Sequence, residues 1–208
     1  MSYLTQALID YEAAARAKMS DIYDWHQLAW SAFPGPESQV RDFLTRLDRL
    51  ERERQFRLLI VSSRPSCAPE LWPEEPDAWQ VREIMPSFFT HRYFRFQLRA
   101  NVTKRDSQSR KRVPLRASSE QTAWILRKAG QSGFVVDSDA LKIIPEGREW
   151  FHIEKRGHAA AHHSVEFEGV LTVTDQPAFQ RAFATGIGSA KSFGFGLLAL
   201  RPLRFTDM

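Results

Sequence analysis

The 208-residue sequence contains one cysteine, Cys67, which excludes an internal disulfide and any zinc site built from several thiols. Long apolar runs are missing too: none approaches the roughly 20 residues needed to cross a bilayer. The opening MSYLTQALIDYEAAARAK lacks the charged-then-apolar layout and small-residue cleavage site of a secretory signal. These absences predict a soluble, cytoplasmic protein with no membrane partner. A strong excess of one charge is also lacking, since 29 Lys and Arg face 25 Asp and Glu for a net +4. The distribution is more informative than the sum. Acids gather at 51–53 and 70–77, whereas between Arg92 and Arg116 the only acid is Asp106. A segment of one sign is the electrostatic footprint of a polyanionic partner.

A second set of absences concerns nucleotide motifs. The stretch Gly186-Ile187-Gly188-Ser189-Ala190-Lys191-Ser192-Phe193-Gly194-Phe195-Gly196 is rich in glycine and carries a lysine. Such a backbone takes positive φ cheaply, and its N–H groups with Lys191 would make an anion site. It is not a P-loop, because Ala190 rather than glycine precedes Lys191-Ser192 and the following residues alternate like a strand. It is not a dinucleotide fingerprint either, because too little chain follows Gly196 to complete a βαβ unit. ATP and NAD are therefore poor ligands for this sequence, and no cofactor is expected.

Read in order, residues 3–9 predict a strand, and Ser20-Asp21 can cap a helix over 22–33 that Pro34-Gly35-Pro36 stops. Residues 36–50 read as a second short helix with Val40, Phe43, Leu44 and Leu47 inward. Strands follow at 56–61 and, broken by Pro86, at 79–89. Residues 91–102 alternate, with Phe94, Phe96 and Leu98 on one face and Tyr93, Arg95, Gln97 and Arg99 on the other. The run 104–112 is the tip of a β-hairpin with five bases in nine residues. A helix over 121–129 closed by Gly130, paired strands at 134–144 and 150–153 around the turn 145–147, a flexible basic loop at 154–163 and a strand at 164–174 come next. Asp175 caps a last helix, 178–185, with Pro177 in its first turn. A final strand, 195–200, ends the pattern. The second half thus has the β-α-β-β-α-β order of a ferredoxin-like fold, and the first half is a looser version. The fold class predicted is α+β: two tandem ferredoxin-like (RRM-like) domains with antiparallel sheets, 1–89 and 90–208.

On the helix over 22–33, Tyr23, His26 and Trp30 share one stripe, while Ile22, Trp25, Ala29 and Phe33 form the buried stripe beside it. A hydroxyl and an imidazole then stand at one helix edge. The spacing alone also describes a packed histidine. An imidazole titrates near pH ~6.5 and can move protons at neutral pH. Lys104, Arg105, Arg110, Lys111 and Arg112 on a projecting hairpin, with Arg99 at its base, suit a phosphate backbone.

Three stretches together resemble one family. They are Tyr23-x-x-His26 with Trp30 and Phe33-Pro34, Tyr93-Phe94-Arg95-x-x-Leu98-Arg99-Ala100-Asn101 with the basic hairpin up to Leu115, and Phe167-Glu168-Gly169-Val170-Leu171-Thr172 with the glycine stretch through Leu198. This combination resembles CasE, the endoribonuclease subunit of the type I-E CRISPR Cascade complex. The resemblance implies metal-independent cutting of CRISPR repeat hairpins by 2′-OH attack, leaving a 2′,3′-cyclic phosphate and a 5′-OH, with the product hairpin retained. It implies the crRNA, the other Cascade subunits and, through the complex, target DNA as partners. The family's catalytic His and Tyr match His26 and Tyr23, and which of them is acid or base stays open. No Lys or Arg lies between His26 and Pro34, so the cation for a developing phosphorane comes from elsewhere: Lys191 with Ser192, Lys155 or Arg156. Gly186, Gly188 and Gly194, with Arg156 and the hairpin bases, are the expected RNA contacts. Two other readings compete. One is a non-cleaving subunit that binds RNA hairpins, and the other is a metalloenzyme using His158, His162 and His163, which lacks a third ligand at a helical offset.

Overall fold

The computed structural model describes residues 1–35, 41–70, 72–75, 77–153 and 158–203, with side chains described outside 148–153 and 158–161. The chain divides into two units, the first comprising Met1–Met85 with Ser192–Gly194 and part of a long hairpin, the second most of the rest. The main segment of the first unit ends at Met85 and that of the second begins at Pro86.

The first unit runs β1 (Tyr3–Asp10), α1 (Tyr11–Arg16), α2 (Ile22–Ser31), β2 (Phe43–Leu50), β3 (Gln55–Ser62) and β4 (Trp79–Glu83). Its antiparallel sheet has the order β2-β3-β1-β4. Along β1, Thr5, Ala7 and Ile9 are buried and their neighbours are not, the period-two pattern of a half-buried strand. Trp25, Leu28 and Ala29 of α2 pack with Ala7, Ile9, Phe43, Leu58, Ile60 and Trp72 in one core.

The second unit contains β5 (Tyr93–Asn101), the hairpin β6 (Thr103–Arg105) and β7 (Arg112–Pro114), α3 (Ser118–Gln131), β8 (Phe134–Val136), β9 (Lys142–Ile153), β10 (His158–Val173), α4 (Gln176–Thr185) and β11 (Leu198–Pro202). The sheet order is β11-β5-β10-β8, with β9 paired on β10. Phe94, Phe96 and Leu98 from β5 meet Phe134, Phe167 and Phe179 in a core of fully buried rings. In both units the strand order reads fourth, first, third, second, so the chain is two ferredoxin-like folds in tandem.

Several local expectations are corrected. Within 36–50, residues 43–50 form strand β2 rather than a helix, because the backbone pairs with β3 from Phe43↔Ser62 to Leu50↔Gln55. Residues 36–40 lie outside the described residues. The strand over 79–89 ends at Glu83 and gives way to a 3-10 turn, Pro86–Thr90; Pro86 has no N–H for a ladder. No turn occurs at 145–147. Strand β9 runs through it, and Glu146 is anchored by two hydrogen bonds from Arg99, at 2.8 and 2.9 Å, and a short one from Ser164. Residues 158–163 belong to β10 rather than to a loop. Helix α3 passes through Gly130 to Gln131, and α1 was not expected at all.

Candidate functional site

Helix α2 is set by its first turn. Asp21 accepts hydrogen bonds from the N–H groups of Tyr23 and Asp24, at 2.7 and 3.2 Å. The Asp24 carboxylate reaches back to the Ser20 and Asp21 N–H groups and the Ser20 hydroxyl. This reciprocal arrangement satisfies donors that a bare helix start leaves open. Burial pushes the Asp24 carboxyl upward, but the hydrogen bonds from Ser20 and Asp21 outweigh it and hold the group below its ordinary value. With Trp25, Leu28 and Ala29 buried, Tyr23, His26 and Trp30 are left half-buried along one edge.

The Trp30 indole N–H donates to His26 Nε2 at 3.0 Å, one helical turn apart. An indole N–H can only donate, so Nε2 holds a lone pair and the neutral ring carries its proton on Nδ1. Nδ1 is buried and makes no hydrogen bond among the described residues. The Phe43 ring of β2 stands 6.4 Å from the imidazole. Burial, reinforced by the positive charge of Arg41, lowers the His26 pKa to about 4. His26 is therefore neutral at pH 7. Arg41 is itself half-buried, and burial lowers its pKa.

Arg41 is the cation that sequence reasoning missed. Reading 36–50 as a helix gave no reason to set Arg41 beside His26, whereas strand β2 brings Phe43 against the same ring.

The remaining expected residues divide. Ser192 and Gly194 belong to the first unit. A Cβ on Gly194, at φ +76°, would lie 3.4 Å from Ile22 Cδ1 and 3.8 Å from the Thr45 carbonyl. Gly194 thus lies against Ile22, the first residue of the helix that carries His26. Lys191, Gly186 and Gly188 belong to the second unit. Part of the stretch is a structural knot rather than a set of open donors: the N–H groups of Gly186, Ile187 and Gly196 donate to the carbonyls of Ala182, Gly196 and Arg99. Lys155 and Arg156 lie outside the described residues. Arg99 is held by Glu146 in a two-pronged ion pair.

On the hairpin, Arg110, Lys111 and Arg112 are exposed and Lys104 meets Glu120 at 3.0 Å. The lone acid, Asp106, closes the tip by accepting from the Ser109 N–H and hydroxyl. His162 Nδ1 lies 3.2 Å from Asn101 Nδ2, and its ring meets Phe195. Among the described residues, no three His, Cys, Asp or Glu side chains group as a metal site.

The family described as CRISPR associated protein matches residues 2–202. The CRISPR system Cascade subunit CasE of Escherichia coli K12 is 32% identical, with 97% of this chain and 100% of that protein covered. The chain belongs to the CasE family of CRISPR-associated proteins. Within that family the CRISPR-associated endoribonuclease Cse3 of Thermus thermophilus is 30% identical over 91% of this chain and 94% of its own. A solved structure of Thermus thermophilus Cse3, bound to an RNA representing a pre-cleavage complex, superposes with a TM-score of 0.76 at 26% identity, covering 97% and 99% of the two chains. No helix among the described residues is long and apolar enough to cross a membrane.

Proposed function

We propose that this CasE-family protein is an endoribonuclease that cuts CRISPR repeat hairpins in precursor RNA and holds the product as a Cascade subunit in the cytoplasm. The observation that carries this reading is the near-complete, two-ended coverage of the chain by CasE and by the endoribonuclease Cse3. The α2 edge agrees with it chemically.

RNA supplies its own nucleophile, the 2′-OH, so the protein needs only to align it, move protons and balance charge. A neutral His26 accepts the 2′-OH proton, which requires the Trp30 indole to release Nε2. The Tyr23 hydroxyl, on the same helix edge, orients the scissile phosphate. Attack on phosphorus forms the 2′,3′-cyclic phosphate and breaks the P–O5′ bond; the departing 5′-oxygen takes up a proton, returned through solvent from the His26 imidazolium, and leaves as 5′-OH. Arg41, whose charge already reaches His26, balances the phosphorane; Lys191, Ser192 and Lys155 are the further candidates for that support. Gly186, Gly188 and Gly194 allow close approach of an RNA backbone. Arg99, Arg156 and the hairpin bases Lys104, Arg105, Arg110, Lys111 and Arg112 hold the stem, which A-form geometry presents as backbone rather than base edges.

The test is to incubate repeat RNA with the protein in excess chelator. Cleavage that persists there and falls about 10²-fold or more in His26→Ala supports the reading. RNA bound tightly and left uncut by the unmodified protein would make it a binding subunit instead.

A further inference from the structure

The start of β2 is held by side chains rather than by the sheet ladder. The last pair of the β2–β3 ladder at that end is Phe43↔Ser62, so Arg41 and Asp42 lie beyond it. There the Ser63 N–H reaches the Asp42 carbonyl at 3.4 Å, a long hydrogen bond. The Asp42 carboxylate supplies what the ladder lacks: its Oδ2 accepts from Arg64 Nε at 3.0 Å and from the Ser63 hydroxyl at 2.9 Å. The same guanidinium donates through Nη1 to the Pro34 carbonyl, at 3.3 Å, and lies over the Phe33 ring, 5.0 Å from its centre. Arg64 thus joins three segments of the first unit: the chain leaving α2, the start of β2 and the chain leaving β3.

Both ends of this clamp lead to the imidazole. Phe33 stacks on Phe43 at 4.8 Å, and Phe43 stands 6.4 Å from His26 and 5.1 Å from Trp30. Arg41 precedes Phe43 by two residues, the spacing that sets side chains on one side of an extended chain. Its charge accordingly reaches His26, whereas Arg64 is not among the groups that act on that ring.

As a stabiliser the Asp42–Arg64 pair is poor. The two side chains are 26% and 28% exposed, and ion pairs open to solvent contribute little. Asp42 Oδ1 and Arg64 Nη2 are buried without a hydrogen-bond partner among the described residues, a desolvation cost that the bonds formed must offset. What the pair does supply is placement, since one guanidinium fixes three segments around the histidine.

We propose that Asp42 and Arg64 are positioning residues for RNA cleavage: their ion pair, tied to Pro34 and Phe33, fixes the start of β2 and so holds the Arg41 guanidinium beside His26. The proposal rests on the endoribonuclease reading above and adds the residues that aim its cation. Both act through Arg41, and neither contacts the scissile phosphate.

The experiment is a double-mutant cycle between Arg64→Met and Arg41→Ala. Three quantities are read: single-turnover cleavage of labelled repeat-hairpin RNA in chelator, affinity for the same hairpin blocked by a 2′-deoxy before the cut, and an NMR titration of His26. Methionine keeps an apolar stem over Phe33 and removes the fork. Arg64→Met slows cleavage about tenfold or more, as misplacement of a group at a reacting centre does, and leaves affinity within about threefold. Added to Arg41→Ala it slows cleavage no further, because residues that act as one unit are not additive. The His26 pKa rises in Arg64→Met and does not move when the same change is made in Arg41→Ala. Rate losses that multiply in the double variant overturn the proposal, since Arg64 then acts apart from Arg41. An unchanged rate in Arg64→Met, a matching loss of RNA affinity, or a His26 shift that persists without Arg41 overturns it equally. If Arg64→Met unfolds at the assay temperature, Asp42→Asn, which keeps the shape and removes the charge, carries the same cycle with the same expectations. Absence of cleavage by the unmodified protein sinks the enzymatic reading alone, because the His26 titration still reports whether the clamp places Arg41.

Discussion

At the scale of single residues, the Trp30 hydrogen bond fixes the tautomer of the imidazole proposed to move the proton. Trp30→Phe deletes a hydrogen bond that the neutral imidazole accepts and the imidazolium cannot, so the His26 pKa is expected to rise from about 4. Arg41→Ala removes a repelling charge and moves it the same way. An NMR titration of the His26 ring checks both, and a pKa that stays put in both variants contradicts the assigned contacts. The folded-state pKa lies below the unfolded value near ~6.5, so the unfolded chain binds the extra proton between the two. The contribution of a neutral His26 to stability is therefore complete above pH ~6.5 and is lost as pH falls toward about 4. His26→Leu flattens that part of the stability–pH curve, measured by denaturant midpoints across this window. If His26 is the base, the cleavage rate likewise rises through its pKa and is level across neutrality. A rate that falls with rising pH through neutrality would make the imidazole the acid.

At the scale of elements, glycine positions separate tolerance from necessity. Gly196 sits at φ +88° with a Cβ position 2.6 Å from the Ile187 carbonyl oxygen. Gly196→Ala is expected to cost about 2 kcal/mol or more. Gly130 lies inside α3 with open space around it, so Gly130→Ala is expected to gain about 0.5–1 kcal/mol. Thermal midpoints of the two variants should move in opposite directions. Asp21→Ala, which removes the cap of α2, is expected to cost about 1 kcal/mol. The same elements mark how far the sequence could be read. Strand β5 was legible because its aromatic alternation is strict, and α2 because its caps and Pro34 bracket one apolar stripe. Strand β2 was not: Val40, Phe43, Leu44 and Leu47 also fit a helical period, and only pairing with β3 decides the matter. That misreading concealed Arg41. Strand β9 was broken at Pro145 and Gly147 because turn chemistry is local, whereas the anchor of Glu146 on Arg99 is separated by dozens of residues in sequence. Of the catalytic candidates, Tyr23 and His26 were legible as one helix edge.

At the scale of the whole molecule, a net charge of only +4 conceals a basic hairpin and a half-buried imidazole kept neutral. Affinity for an RNA hairpin should then be strongly salt-dependent, because each neutralised phosphate releases counterions. Tight binding undiminished at high salt would contradict an electrostatic grip. The proposed division of labour is that the bases bind and the α2 edge cuts, with the RNA itself as nucleophile. The most direct measurement of that claim uses a repeat hairpin carrying a single 2′-deoxy at the nucleotide before the cut, in chelator and with protein in excess. The expected result is undiminished binding without cleavage, while the all-ribose hairpin yields a 2′,3′-cyclic phosphate and a 5′-OH. Cleavage of the deoxy hairpin at the same bond would show that water or a protein group attacks the phosphorus, and the 2′-OH mechanism would be wrong.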